Sequence, residues 1–134
     1  MTSIIDIEGI GPKYAEKLAE VGIRTTEKLL EVAAGKKGRV ALAEDISVSE
    51  KLVLEWVNRA DLMRIPGVGE EFSDLLEAAG VDSPTELATR NAENLAAKLE
   101  ELNEAKHLVR RVPTADQVQT FIDEAKKLDK VVTH

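Results

Sequence analysis

Gly9-Ile10-Gly11-Pro12-Lys13 combines two glycines, a helix-starting proline and a cation within five residues. The chemistry this pattern suits is capture of an oxyanion, a phosphate above all. The first N–H groups of a helix have no intrahelical acceptor and carry a partial positive charge. Glycine lets a ligand backbone approach them, and Lys13, with Lys17 one turn on, adds charge. A second copy, Gly67-Val68-Gly69, runs instead into Glu70 and Glu71. Two carboxylates there favour the helix dipole and repel a phosphate. Arg64, just before the second turn, partly offsets them. Lys36, Lys37 and Arg39, between and beside Gly35 and Gly38, place three further cations in an expected flexible loop. Lys106, His107, Arg110 and Arg111 form another basic cluster, expected at a helix end where it complements the dipole.

Nothing comparable points to catalysis. The chain has no cysteine and only two histidines, His107 and His134. Thiol chemistry is excluded, and a zinc site would want three or four ligands. Phosphate-loop, dinucleotide and nucleophile-elbow patterns are missing, as is a metalloprotease His-Glu helix. Acidic residues such as Glu16, Glu20, Glu27, Glu100, Glu101 and Glu104 fall at helical surface positions. The expectation is a binding protein, not an enzyme, with no cofactor, no metal and no small-molecule substrate.

The elements that must carry the turns are legible through an internal repeat. At an offset of 58, Gly9, Gly11, Tyr14, Leu18, Gly22, Ile23 and Leu29 fall on Gly67, Gly69, Phe72, Leu76, Gly80, Val81 and Leu87. At an offset of 65, Val53, Trp56, Val57 and Ala60 fall on Val118, Phe121, Ile122 and Ala125. Two units are expected, 1–64 and 65–134. In the first, residues 3–8 make a short helix before the turn. Tyr14, Ala15, Leu18 and Ala19 line one face of the next, which Gly22 ends. Thr25 or Thr26 caps a helix with Leu29, Leu30 and Val32 inward. After the Gly35–Gly38 loop a helix starts at Arg39, and Ser49 opens the last. In the second unit Ser83, Pro84 and Glu86 make a capping box, and Pro113-Thr114 opens the final helix. Ile7, Ile10, Ile65 and Val68 read as core.

Composition bounds the rest. Aromatic residues make up 3% of 134 residues, so the core is Leu, Val, Ile and Ala, which suits helices. No apolar run approaches the roughly 20 residues of a membrane span. No secretory signal is visible, so a cytoplasmic protein without membrane contact is expected. The net charge of −7 opposes a polyanion on average, so only a local arrangement can bind one. The fold class expected is all-α, two tandem helical units forming one compact or bilobed molecule.

A short helix, a Gly-apolar-Gly turn and a second helix with following Ala and Leu resemble the helix-hairpin-helix motif. The stretches IEGIGPKYAEKLAEVGI, LEWVNRADLMRIPGVGEEF and LLEAAGVDSPTELATRN are similar to a family of uncharacterised bacterial proteins with two such units. The motif resemblance implies phosphate contact without sequence reading, through Gly9, Ile10, Gly11, Lys13 and Lys17 and, less aptly, Gly67 and Gly69. Some helix-hairpin-helix proteins also hold a monovalent cation on turn carbonyls. The family resemblance supplies architecture and no activity. The first expectation is an adaptor or scaffold meeting another protein or a second copy. The alternative is binding of a nucleic-acid (DNA) backbone through the first turn.

Overall fold

Residues 2–134 are described, in a computed structural model, and their regular structure is helical throughout. A 3-10 turn, Ile4–Asp6, is followed by α1 (Pro12–Glu20), α2 (Thr26–Ala33), α3 (Lys36–Ile46) and α4 (Glu50–Leu62). Next come α5 (Glu70–Ala78), α6 (Pro84–Leu87), α7 (Ala92–Lys106) and α8 (Ala115–Ala125). The chain divides into two compact units: the chain up to Asp61 together with Val131–His134, and Leu62–Lys130. No helix of the described residues is long and apolar enough to cross a membrane.

In the first unit the segment before the turn is anchored by pairing along its backbone. Ser3 and Thr25 form an isolated antiparallel bridge, and Ile4 N–H donates to the Arg24 carbonyl at 3.0 Å. Helix α1 ends in a reverse turn, where Ile23 N–H returns to the Leu18 carbonyl at 2.9 Å and satisfies an end carbonyl. The Thr25 hydroxyl, not that of Thr26, caps α2 by accepting from Lys28 N–H at 3.1 Å. Ile7, Ile10, Leu18, Leu29, Val53, Trp56 and Val57 lie in the core.

Two local expectations are corrected here. Lys36 and Lys37 do not lie in a loop, and the helix does not begin at Arg39: α3 starts at Lys36, with Gly35 as its N-cap. Gly38 sits inside it because a Cβ there would overlap the Val32 carbonyl oxygen. The backbones of α2 and α3 approach too closely for any side chain at that point, so glycine marks contact and not flexibility. Val32, expected inward, is exposed.

The second unit is built around Ile65, Val68, Leu75, Leu76, Val81, Leu87, Leu95, Leu99, Val118, Phe121 and Ile122. Three of its helices, α6, α7 and α8, begin on side-chain acceptors. Ser83 accepts from Glu86 N–H at 3.1 Å, Asn91 from Asn94 N–H at 3.1 Å, and Thr114 from Gln117 N–H at 3.2 Å. The reciprocal half of the box expected at Ser83 does not form, because the Glu86 carboxylate pairs with Arg90 Nε at 3.1 Å. A complete box stands at Thr114, where Gln117 Oε1 accepts from Thr114 N–H at 2.9 Å. After α7 the Asn103 amide both donates to the Val109 carbonyl and accepts its N–H, fixing the descent towards α8.

Candidate functional site

The first turn closes when Ile10 N–H donates to the Ile7 carbonyl at 3.1 Å. Gly9 takes φ +92°, a value that L side chains rarely adopt. Ile7 and Ile10 point into the core and leave the glycines on the surface. Gly11 is the N-cap of α1, with extended backbone and no side chain accepting from the helix N–H groups. A Cβ on Gly11 would meet nothing within 4 Å, so this face is open. The first turn of α1 holds no acidic residue, and Lys13 is exposed upon it. Lys17 is half-buried, and its Nζ reaches the Ile46 carbonyl at 3.4 Å, the end of α3.

Beneath Gly9 lies Trp56, fully buried, its Nε1 3.8 Å from where a Gly9 Cβ would stand. Arg59 Nη1 is equally close to that point. The indole N–H has no hydrogen-bond partner among the described residues, and the ring tilts against Tyr14 at 5.2 Å between centroids. The sequence marks Trp56 through its match to Phe121 and gives Arg59 no such mark. The offset of 65 was the available signal, since it sets Arg59 against Glu124.

The second turn repeats this backbone with reversed chemistry. Val68 N–H donates to the Ile65 carbonyl at 3.0 Å, and Gly67 also has φ +92°. Gly69 caps α5 without a side-chain acceptor and is equally open. Phe121 lies under Gly67 as Trp56 lies under Gly9, and it tilts against Phe72 at 5.8 Å. The first turn of α5 carries Glu70 and Glu71. A shallow cavity of about 290 Å³ is lined by Gly67, Gly69, Glu70, Glu71 and Phe72. At matching positions of the repeat, Lys13 becomes Glu71 and Arg59 becomes Glu124, and the indole under Gly9 becomes the phenyl ring under Gly67.

The remaining predicted cations separate. Lys36 and Lys37 are exposed on the first turn of α3, whose N-cap Gly35 also provides no side-chain acceptor and whose first turn has no acid. Arg39 does not face a ligand. It is 2% exposed, with Nη1 donating to the Ala33 and Ala34 carbonyls at 3.2 and 2.7 Å and Nη2 to the Thr133 carbonyl at 2.7 Å. Arg64 belongs to the second unit and donates to the Asp129 carbonyl at 3.0 Å. Lys106, His107, Arg110 and Arg111 are exposed, with His107 a left-handed cap at the end of α7. Among the described residues no group of three or more His, Asp or Glu is arranged to hold a metal ion.

Residues 8–128 match the family described as a domain of unknown function, DUF4332. The chain belongs to that family. No curated protein and no solved structure matches it. The DUF4332 span takes in both glycine turns and all eight α-helices, and it stops short of residues 131–134.

Proposed function

We propose that this protein is a non-enzymatic binding module whose first unit holds a nucleic-acid backbone, without reading sequence, at the Gly9–Lys13 turn. The carrying observation is that α1 and α3 both begin on a glycine cap with lysine, and no acid, in the first turn. Helix electrostatics disfavours cations at that end. Lysines placed there make sense when an anion is present to be shared between them and the free N–H groups. Read as helix-hairpin-helix turns, the two copies divide the work: the first contacts phosphate, and the second, with Glu70 and Glu71, maintains the fold. Counting Lys and Arg against Asp and Glu gives nine against eleven in the first unit and nine against fourteen in the second. Of the net charge of −7, two negative charges fall in the first unit and five in the second.

The test is fluorescence anisotropy with labelled single- and double-stranded DNA and RNA over a range of salt. The native protein is compared with Lys13→Glu, Lys36→Glu and the control Lys126→Glu. Salt-sensitive binding, weakened by the first two substitutions and not by the third, is the expected result, and the salt slope counts the phosphates engaged. Absence of binding at low salt would sink the proposal.

A second reading, as an adaptor or scaffold, is favoured by the distribution of exposed apolar side chains. Ile5, Val21, Val32, Val40 and Val131 all belong to the first unit. Single exposed apolars are ordinary, so their confinement to one unit carries this reading. Light scattering and cross-linking with Val32→Lys and Val40→Lys test it: association lost in both variants supports a protein partner.

A further inference from the structure

The first unit is not built from one stretch of chain. Residues 62–130 form the second unit, and then Val131–His134 return to the first. Their seat is made by three helices. Thr133 N–H donates to the Ala34 carbonyl at 3.0 Å, at the end of α2, and the Thr133 carbonyl accepts from Arg39 Nη2 of α3 at 2.7 Å. His134 Nε2 lies 2.9 Å from Oδ1 of the buried Asn58 on α4. Val132 is 1% exposed. Thr133 thus uses both of its main-chain groups as a strand residue would, with an arginine standing in for one side of the ladder.

Arg39 explains why this seat is specific. A guanidinium can donate in several directions from one rigid plane. Two of the carbonyls it serves, Ala33 and Ala34, belong to the seat itself, and the third arrives with residue 133. The one guanidinium thus ties the end of α2 to the arriving segment. None of these contacts depends on which chain supplies the segment. Lys126, Lys127, Asp129 and Lys130, which lead into it, are exposed and lie beyond the end of α8.

We propose that residues 131–134 are an exchangeable element: the seat formed by Ala34, Arg39 and Asn58 is a self-association site that takes residues 131–134 of a second copy in place of its own. Exchange of an identical element preserves every contact of the closed monomer, which is why it is a low-cost route to dimers. This site is distinct from the Gly9–Lys13 turn and stands whether or not that turn binds nucleic acid.

The absence of native cysteine allows a direct test. Two differently sized tagged chains are prepared, one with Ala34→Cys and the other with Thr133→Cys, and mixed over a range of concentrations under oxidising conditions. The expected result is a disulfide-linked heterodimer that grows with concentration and exceeds the Ala34→Cys self-dimer. A single chain with both substitutions reports whether the pair can bridge in place. If that chain closes internally while the mixture gives no heterodimer above the self-dimer, exchange does not occur and the proposal is overturned. If the double variant fails to close, sedimentation over the same concentrations decides: a dimer that a chain without residues 131–134 does not form is expected, and a monomer throughout overturns the proposal.

Discussion

Arg39 Nη2 donates to the main-chain carbonyl of Thr133 across 2.7 Å, joining residues 94 positions apart. With its bonds to Ala33 and Ala34, this makes a nearly inaccessible side chain of α3 the junction of the end of α2 and a distant segment. Arg39→Met keeps the length of the side chain and leaves three carbonyls without their charged donor. A loss of at least about 3 kcal/mol is expected from bonds of this kind. Thr133→Pro removes the N–H bonded to Ala34, fixes φ at residue 133 and restricts the buried Val132, and should cost at least about 1 kcal/mol. Urea unfolding followed by Trp56 fluorescence measures both, and a smaller loss for Arg39→Met than for Thr133→Pro would contradict this account.

Gly38 faces the Val32 main chain, so Gly38→Ala forces α2 and α3 apart. Alanine normally favours a helix interior by roughly 1 kcal/mol over glycine. Here the sign reverses, and a net destabilisation of about 1–3 kcal/mol is expected. Gly69→Ala, on an open face, should change stability by less than about 1 kcal/mol. Parallel thermal melts of the two variants distinguish close approach from simple loop tolerance.

Trp56 is the only tryptophan and is fully buried in the first unit. Its indole N–H has no partner to lose, and the equivalent position holds Phe121. Trp56→Phe should therefore cost less than about 1.5 kcal/mol, whereas Trp56→Ala opens a cavity worth about 3–5 kcal/mol. Circular dichroism in denaturant reads both, because neither variant retains the fluorophore.

Glu27 gives the first unit an acid-sensitive contact. Burial pushes its carboxyl upward, but the Thr26 hydroxyl, its own N–H and that of Thr2 outweigh this and hold it below the ordinary glutamate range. The two oxygens accept from Thr26 Oγ1 at 2.9 Å and Thr2 N–H at 3.2 Å. A carboxylate with a lowered value contributes stability above its unfolded value, about 4.3, and loses it as pH falls through the folded one. Melting temperature should therefore fall more steeply below about pH 4.5 in the native protein than in Glu27→Gln. Parallel pH profiles for the two proteins would contradict this.

The repeat was the most readable feature because it is carried by residues whose role is local or whose size is conserved between copies. Gly9 and Gly67 adopt the same φ, and Tyr14–Trp56 and Phe72–Phe121 pair alike, as the two offsets imply. Arg39 was not readable. A cation in a run of Lys, Lys and Gly looks solvated, and its burial depends on carbonyls that only tertiary structure brings together. Gly38 misled for the same reason, since a glycine demanded by a neighbouring helix looks like a glycine demanded by a loop. Within the candidate site, Lys13 was visible beside the turn, while Arg59 reaches Gly9 from a helix 50 positions along the chain.

The return of residues 131–134 also sets an order of events during synthesis. The second unit is contiguous and has all its residues once Lys130 emerges, whereas the first waits for a segment made after it. At about 5–20 residues per second, the intervening stretch keeps the earlier half incomplete for several seconds. The usual N-terminal-first sequence is thereby inverted, and the half bearing the proposed binding turn is the last to reach its final form.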